Sequence, residues 1–157
     1  MKIFIILIGL LAFSVVVYFF ILGNVSTSKQ SPGLVAGKLS ACSPKPNCVC
    51  SEIEQSDSHY IAPLTISITD NNSLMLQIKS LLKEMGAEIV TEDDSYIAAT
   101  FTSRLFRFVD DFEIRLDAQN NLVHVRSASR VGRSDFGVNR QRVEEFRTRL
   151  DAADKNL

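Results

Sequence analysis

Histidine is scarce in this chain: His59 and His124 are the only two in 157 residues. Nucleophilic catalysis needs a base beside the nucleophile, and no nucleophile elbow, phosphate loop or His-Glu-x-x-His helix is present. Cysteine is almost as rare. Cys42, Cys48 and Cys50 form neither a Cys-x-x-Cys redox pair nor a Cys-x-x-Cys-His haem site. These absences weigh against an enzyme and leave no cofactor to expect. Basic charge is not in excess either, with 17 Lys and Arg against 18 Asp and Glu, which excludes a nucleic-acid-binding polycation. Two local absences are sharper. No charged side chain occurs between Ile3 and Leu22, and no arginine occurs before Arg104.

The uncharged run, residues 3–22, is twenty residues long. At about 1.5 Å per helical residue, twenty residues cover roughly 30 Å, the hydrocarbon thickness of a bilayer. The run predicts an N-terminal membrane anchor over 1–22. A cleaved signal is the competing reading, but its apolar region is usually about 7–15 residues and ends at a small-x-small site. Here Gly23-Asn24-Val25-Ser26 supplies no Ala-x-Ala. Leu39-Ser40-Ala41-Cys42 resembles a lipobox but lies too far beyond the apolar run. Flanking lysines are balanced, with Lys2 on one side and Lys29 and Lys38 on the other, so positive-inside counting does not orient the segment.

Residues 23–41 are rich in Ser, Thr and Gly and predict a flexible linker of roughly 25 Å root-mean-square reach. Next comes Cys42-Ser-Pro-Lys-Pro-Asn-Cys48-Val-Cys50. Pro44 and Pro46 impose a turn, and a Cys42–Cys48 disulfide is the expected pairing in an oxidising compartment, with Cys50 left over. Three cysteines plus His59 would satisfy a zinc ligand count, but the spacing matches no common pattern, and no metal site is expected. This cysteine usage favours a single-pass membrane protein whose C-terminal domain is periplasmic or otherwise extracytoplasmic.

Residues 42–157 predict one α+β domain with element order βαββββα, about five mostly antiparallel strands packed with two helices. Residues 42–63 look irregular, and Leu64–Ile68 reads as the first strand. Leu74, Ile78, Leu81, Leu82 and Met85 repeat at helical spacing over about 73–85, with Asn72 as N-cap and Gly86 closing the helix. Residues 87–92 and 96–103 read as strands. Residues 106–116 and 122–129 form a hairpin around Ala118–Asn121, and a last amphipathic helix covers about 138–151.

Apolar residues alternate along the first hairpin strand: Phe106, Phe108, Phe112, Ile114, Leu116. Pairing Asp117 with Leu122 brings Leu116 to Val123, Ile114 to Val125 and Glu113 to Arg126, a self-consistent register. The same register turns Asp110, Ser127 and Ser129 inward, and Asn139 shares the buried face of the last helix with Val143, Phe146 and Leu150. A polar network of Asp110, Ser127, Ser129 and Asn139 is expected, with Arg130 or Arg140 as counter-charge. Its first role would be to pin the helix to the sheet. The opposite face, with Arg107, Asp111, Glu113, Arg115, His124 and Arg126, reads as a solvated, cross-paired surface.

Residues 125–146, Val-Arg-Ser-Ala-Ser-Arg-Val-Gly-Arg-Ser-Asp-Phe-Gly-Val-Asn-Arg-Gln-Arg-Val-Glu-Glu-Phe, run off a strand, through two glycines, into a helix. Ser134 or Asp135 can cap that helix. A turn at a helix N-terminus with arginines beside it is a generic anion site, which nominates Arg126, Arg130, Arg133, Arg140 and Arg142 for ligand binding.

With Cys42–Ser51 and Arg107–Asp117, this stretch resembles the family known as domain of unknown function 1499, across about residues 42–150. The matching positions are Asp110, Asp111, Glu113, Arg126, Ser127, Ser129, Arg130, Ser134, Asp135, Asn139 and Arg142. Cys50 and Ser43 depart from the family pattern, which has serine and proline there. The resemblance implies a small envelope or membrane-associated domain and assigns no chemical role to any residue.

The functional expectation is a membrane-anchored module. Its arginine-rich half would bind an anionic ligand, a lipid headgroup or an envelope protein. The alternatives are a structural or assembly partner in a membrane complex, and a small hydrolase in which His124 or His59 would meet Ser127 or Ser129.

Overall fold

The computed structural model of the chain describes residues 1–67 and 70–154. Ile68, expected to end the first strand, and residues 155–157, expected to end the domain, lie outside them. In chain order the elements are α1 (Lys2–Thr27), β1 (Leu34–Val35), β2 (Lys38–Leu39), β3 (Cys48–Cys50), β4 (Leu64–Thr65), α2 (Asn71–Glu84), β5 (Glu88–Glu92), β6 (Tyr96–Thr102), β7 (Val109–Asp117), β8 (Leu122–Ser129) and α3 (Val138–Asp154). β1 and β2 pair as a small hairpin. The rest make one antiparallel sheet in the order β3-β8-β7-β6-β5, with β4 also against β8. This is the α+β architecture that the alternating pattern predicts, with an apolar helix of 26 residues ahead of it.

The β7–β8 register follows the apolar pairing: Asp117 opposes Leu122, Ile114 opposes Val125 and Asp110 opposes Ser129. Phe112, Ile114, Leu116, Val123 and Val125 therefore share one face with Ile97 and Ala99, and α2 and α3 cover it with Leu74, Ile78, Leu82, Val143, Phe146 and Leu150. Phe112 and Phe146 are fully buried and meet edge-on at 5.4 Å between ring centres. Burying each such ring contributes about 1.5–3 kcal/mol.

Several expected boundaries move. α2 starts at Asn71 because Asp70, not Asn72, is its N-cap: Asp70 holds extended backbone angles, and its carboxylate accepts the Ser73 N–H. Within 42–63, Cys48–Cys50 forms a strand against β8, with Cys50 opposite Arg126. β7 starts at Val109, not Phe106. Arg107 takes φ 61°, which ends the extended run, and Phe106 and Phe108 turn toward α1. Of the strand expected over 64–68, Leu64–Thr65 pairs with β8, and Ile66 is buried beyond it.

The largest departure concerns the sheet face opposite the helices, expected to be solvated. Asp111 is 4 % exposed, Glu113 0 % and Arg126 8 %. The covering comes from residues 23–41, the expected flexible linker. Their β1–β2 hairpin lies over this face: Gly33 N–H donates to Glu113 Oε1 at 3.1 Å, and Leu39 N–H donates to Glu52 Oε2 at 2.8 Å. Leu39 also joins Cys50, Tyr96 and Ala98 in a second, small apolar cluster. Polar alternation marks a face as open to water only when no other segment covers it.

Candidate functional site

Each charge buried on that covered face has an ion-pair partner, although Arg126 Nε is buried without a hydrogen bond among the described residues. Glu113 Oε1 accepts from the Tyr96 hydroxyl at 2.7 Å, and Oε2 accepts from Arg126 Nη1 at 2.7 Å. Burial, with the Glu113 carboxylate beside it, pushes the Tyr96 phenol well above its ordinary range. Arg130 donates through Nε and Nη2 to Asp111 Oδ1 at 2.9 and 2.8 Å. Arg115 forks onto Glu52. Removing either partner of a buried pair strands the other charge, so these contacts are structural ties.

On the helix side the structure joins Ser127, Ser129 and Asn139. Ser127 Oγ donates to Asn139 Oδ1 at 2.5 Å, and Asn139 Nδ2 donates to Ser129 Oγ at 3.0 Å and to the Asn47 carbonyl at 3.1 Å. Asn47, buried at 3 %, also takes the Ser129 N–H on that carbonyl. The counter-charge for Asp110 is Arg142, at 3.1 Å, rather than Arg130 or Arg140. Arg142 also donates to Asn139 Oδ1 and stacks 4.3 Å above the Phe101 ring centre. Arg142 lies one turn along α3 from Asn139, on the side facing β7. Arg140 lies one residue after Asn139 and points instead to the Ser58 and Tyr60 carbonyls.

The expected anion turn is occupied by the protein's own groups. Asp135 caps α3, accepting from Gly137 N at 3.1 Å and Asn139 N at 2.8 Å, so these helix-end donors already hold a carboxylate. Four of the five nominated arginines, Arg126, Arg130, Arg140 and Arg142, bind internal partners. Arg133 is exposed and has none among the described residues. Cys42 and Cys48 form a disulfide with Cα atoms 5.7 Å apart, while Cys50 is buried and reduced, its thiol pushed up in pKa by burial. No group of three or more His, Cys, Asp or Glu side chains placed for a metal occurs among the described residues.

Two concavities among the described residues are large enough to consider, each about 700 Å³. One is polar, about 720 Å³, and holds Ser51, Glu52, Arg115, Asp117 and His124. Ser51 Oγ lies 3.2 Å from His124 Nδ1, and burial pushes the imidazole pKa below its ordinary value. Ser127 does not meet His124, because the two lie on opposite faces of β8. Asp117 lies 3.8 Å from His124 Nε2, beyond hydrogen-bonding reach, and is held by Asn120 and Arg115. This Ser–His pair therefore has no carboxylate placed to orient it.

The other concavity is mainly apolar, about 700 Å³, and sits where α1 meets the sheet. Phe19 and Leu22 of α1 form one wall, with Phe101, Phe108, Val131 and Phe136 opposite. Arg104 and the Arg142–Asp110 pair lie in its lining. Close packing makes this junction: Gly23 is buried, and a Cβ there would fall 1.7 Å from the Phe106 carbonyl oxygen. Phe106 packs on Phe19 and Phe20 at 5.2 and 5.3 Å between ring centres. Motif residues Val131, Gly132, Ser134 and Phe136 line this cavity, but the motif alone did not reveal the wall that α1 supplies. Its signal was a pair of aromatic-rich stretches, Tyr18-Phe19-Phe20 and Phe106-Arg107-Phe108, which meet across the fold.

The model of the family described as protein of unknown function (DUF1499) matches residues 38–150. No curated protein matches the chain.

Proposed function

The chain belongs to the DUF1499 family, and from that premise we propose that it is a single-pass membrane protein whose extracytoplasmic domain binds an anionic amphiphile. The apolar part would occupy the cavity between α1 and the sheet, and the anionic head would meet Arg104 and Arg142. The observation that carries this reading is the cavity itself. About 700 Å³ suits a small amphiphile, its lining is largely apolar, and one wall is the helix long and apolar enough to cross a membrane. A signal sequence passes the same test of length and composition. Retention of α1 draws support from Ser26, which is fully buried and bonded to the backbone of Val109. Extracytoplasmic placement draws support from the Cys42–Cys48 disulfide, since such bonds persist in oxidising compartments.

The test is lipid extraction and mass spectrometry on the full chain purified from membranes in mild detergent. We expect one anionic lipid enriched over its bulk fraction, and lost in Val131→Trp, which fills the cavity, while the circular dichroism spectrum is unchanged. Bulk lipid composition in both proteins would overturn the reading.

A further inference from the structure

Of the ten arginines, seven are engaged within the fold. Arg115, Arg126, Arg130, Arg142, Arg147 and Arg149 form ion pairs, and Arg140 binds two carbonyls. Arg104, Arg107 and Arg133 are exposed and have no partner among the described residues. All three lie at one end of the domain. Arg104 lines the α1 cavity, Arg107 sits between the two phenylalanines that pack on Phe19, and Arg133 lies between two residues of the cavity rim, Gly132 and Ser134.

The same end carries exposed apolar side chains. Leu105 is 66 % exposed, and Phe136 is 93 % exposed on a backbone with φ 55°, a region a phenylalanine rarely adopts. The ring contacts of Phe106 fix the level of this end along α1. Phe19 precedes Leu22, the last residue of the apolar run, by three residues, or about 4.5 Å of helix rise. The 103–108 loop thus stands level with the final turn of the apolar helix. With α1 across a bilayer, that level is the boundary between acyl chains and headgroups. Apolar side chains dip below it, while arginines reach phosphate from it.

We infer that this end of the domain docks on the bilayer surface. Leu105 and Phe136 enter the acyl boundary, and Arg104, Arg107 and Arg133 engage anionic headgroups. The cavity mouth then opens onto lipid. The inference rests on α1 being a retained membrane span, as proposed above. Continuity with α1 and the charge of the three arginines commit the face to a lipid surface rather than to a protein.

The experiment uses the full chain in vesicles of phosphatidylcholine with phosphatidylglycerol. An environment-sensitive fluorophore is placed singly at Leu105→Cys, Phe136→Cys, Leu11→Cys or Gln119→Cys. The native cysteines do not compete, being disulfide-bonded or buried. Gln119 is exposed in the β7–β8 turn, about 26 Å along β7 from Val109 at strand rise. Quenching by doxyl-labelled lipid should be at least threefold stronger at 105 and 136 than at 119. It should weaken in phosphatidylcholine alone and in Arg104→Gln/Arg107→Gln/Arg133→Gln. Quenching at Leu11 with none at 105 or 136 overturns docking and leaves the anchor standing. No quenching at Leu11 overturns the anchor reading and docking together. Labels at 105 and 136 that are shielded but unquenched mean a second protein copy covers this face, which also overturns docking. Lipid extraction from the same samples reports the cavity separately.

Discussion

Ser26 Oγ accepts the Val109 N–H at 2.9 Å and lies 3.2 Å from the Val109 carbonyl oxygen, to which it donates. One hydroxyl on the last turn of α1 thus satisfies both backbone groups of the first residue of β7. Ser26→Ala leaves a buried N–H without a partner, which costs about 1–3 kcal/mol. Chemical denaturation of the full chain in detergent should report a loss of that size. Asn24→Ala, at an exposed position nearby, should change little. Equal midpoints for the two variants would mean that α1 and the sheet are not coupled at this contact.

Glu113 sets a second expectation. Its carboxylate is fully buried and meets Tyr96, Gly33 and Arg126. Glu113→Ala strands the buried Arg126 guanidinium, a change that typically costs about 3–5 kcal/mol. Asp110→Ala breaks a partly exposed pair with Arg142 and should cost less. Urea midpoints of the two variants rank them directly, and a larger loss for Asp110→Ala would contradict the burial assigned to Glu113.

That ranking reverses what alternation along the hairpin implies, and the reason is local. Pairing Ile114 with Val125 was legible because apolar residues on neighbouring strands must share a face, and a slip of one residue would reverse every side chain. The same pattern carries no information on which loop covers the polar face. Residues 31–40 mix Ser, Pro and Gly with Leu34, Val35 and Leu39, a pattern too short and irregular to mark a covering hairpin. They are held there by hydrogen bonds from their backbone N–H groups to Glu113 and Glu52. The placement of Asn139 was legible from helix periodicity, whereas its pairing to Arg142 through a shared oxygen required the tertiary geometry. The α1 cavity was the least legible part, because its walls come from α1 and from residues between Met85 and Arg142, far along the chain.

Asn139 joins α3 to β8 and to the Asn47 loop through three polar contacts. Asn139→Ala should cost about 2 kcal/mol, set by the buried Ser127 hydroxyl and the Asn47 carbonyl left short of partners. Asn139→Asp keeps the acceptor for Ser127 and Arg142 but removes the donors to Asn47 and Ser129. Recovery of full stability in Asn139→Asp, measured by thermal melting, would show that the Nδ2 contacts contribute nothing.

His124 gives the fold a pH dependence. Burial disfavours its protonated form and lowers its pKa, while Glu52 and Asp117 pull the opposite way and Arg115 and Lys38 reinforce the burial. Its folded pKa therefore lies below the unfolded value of about 6.5. Between those two values the unfolded chain binds more protons, so stability rises with pH through that window. The contribution is fully present above about pH 6.5 and is lost as pH falls toward the folded pKa. Denaturation midpoints at pH 7.5, 6.5 and 5.5 should fall progressively in the wild type and stay flatter in His124→Asn. This range stays above the ordinary carboxylate pKa values of about 4, which keeps acid titration of Asp117 out of the comparison. A wild-type slope that survives His124→Asn unchanged would assign the effect to another group.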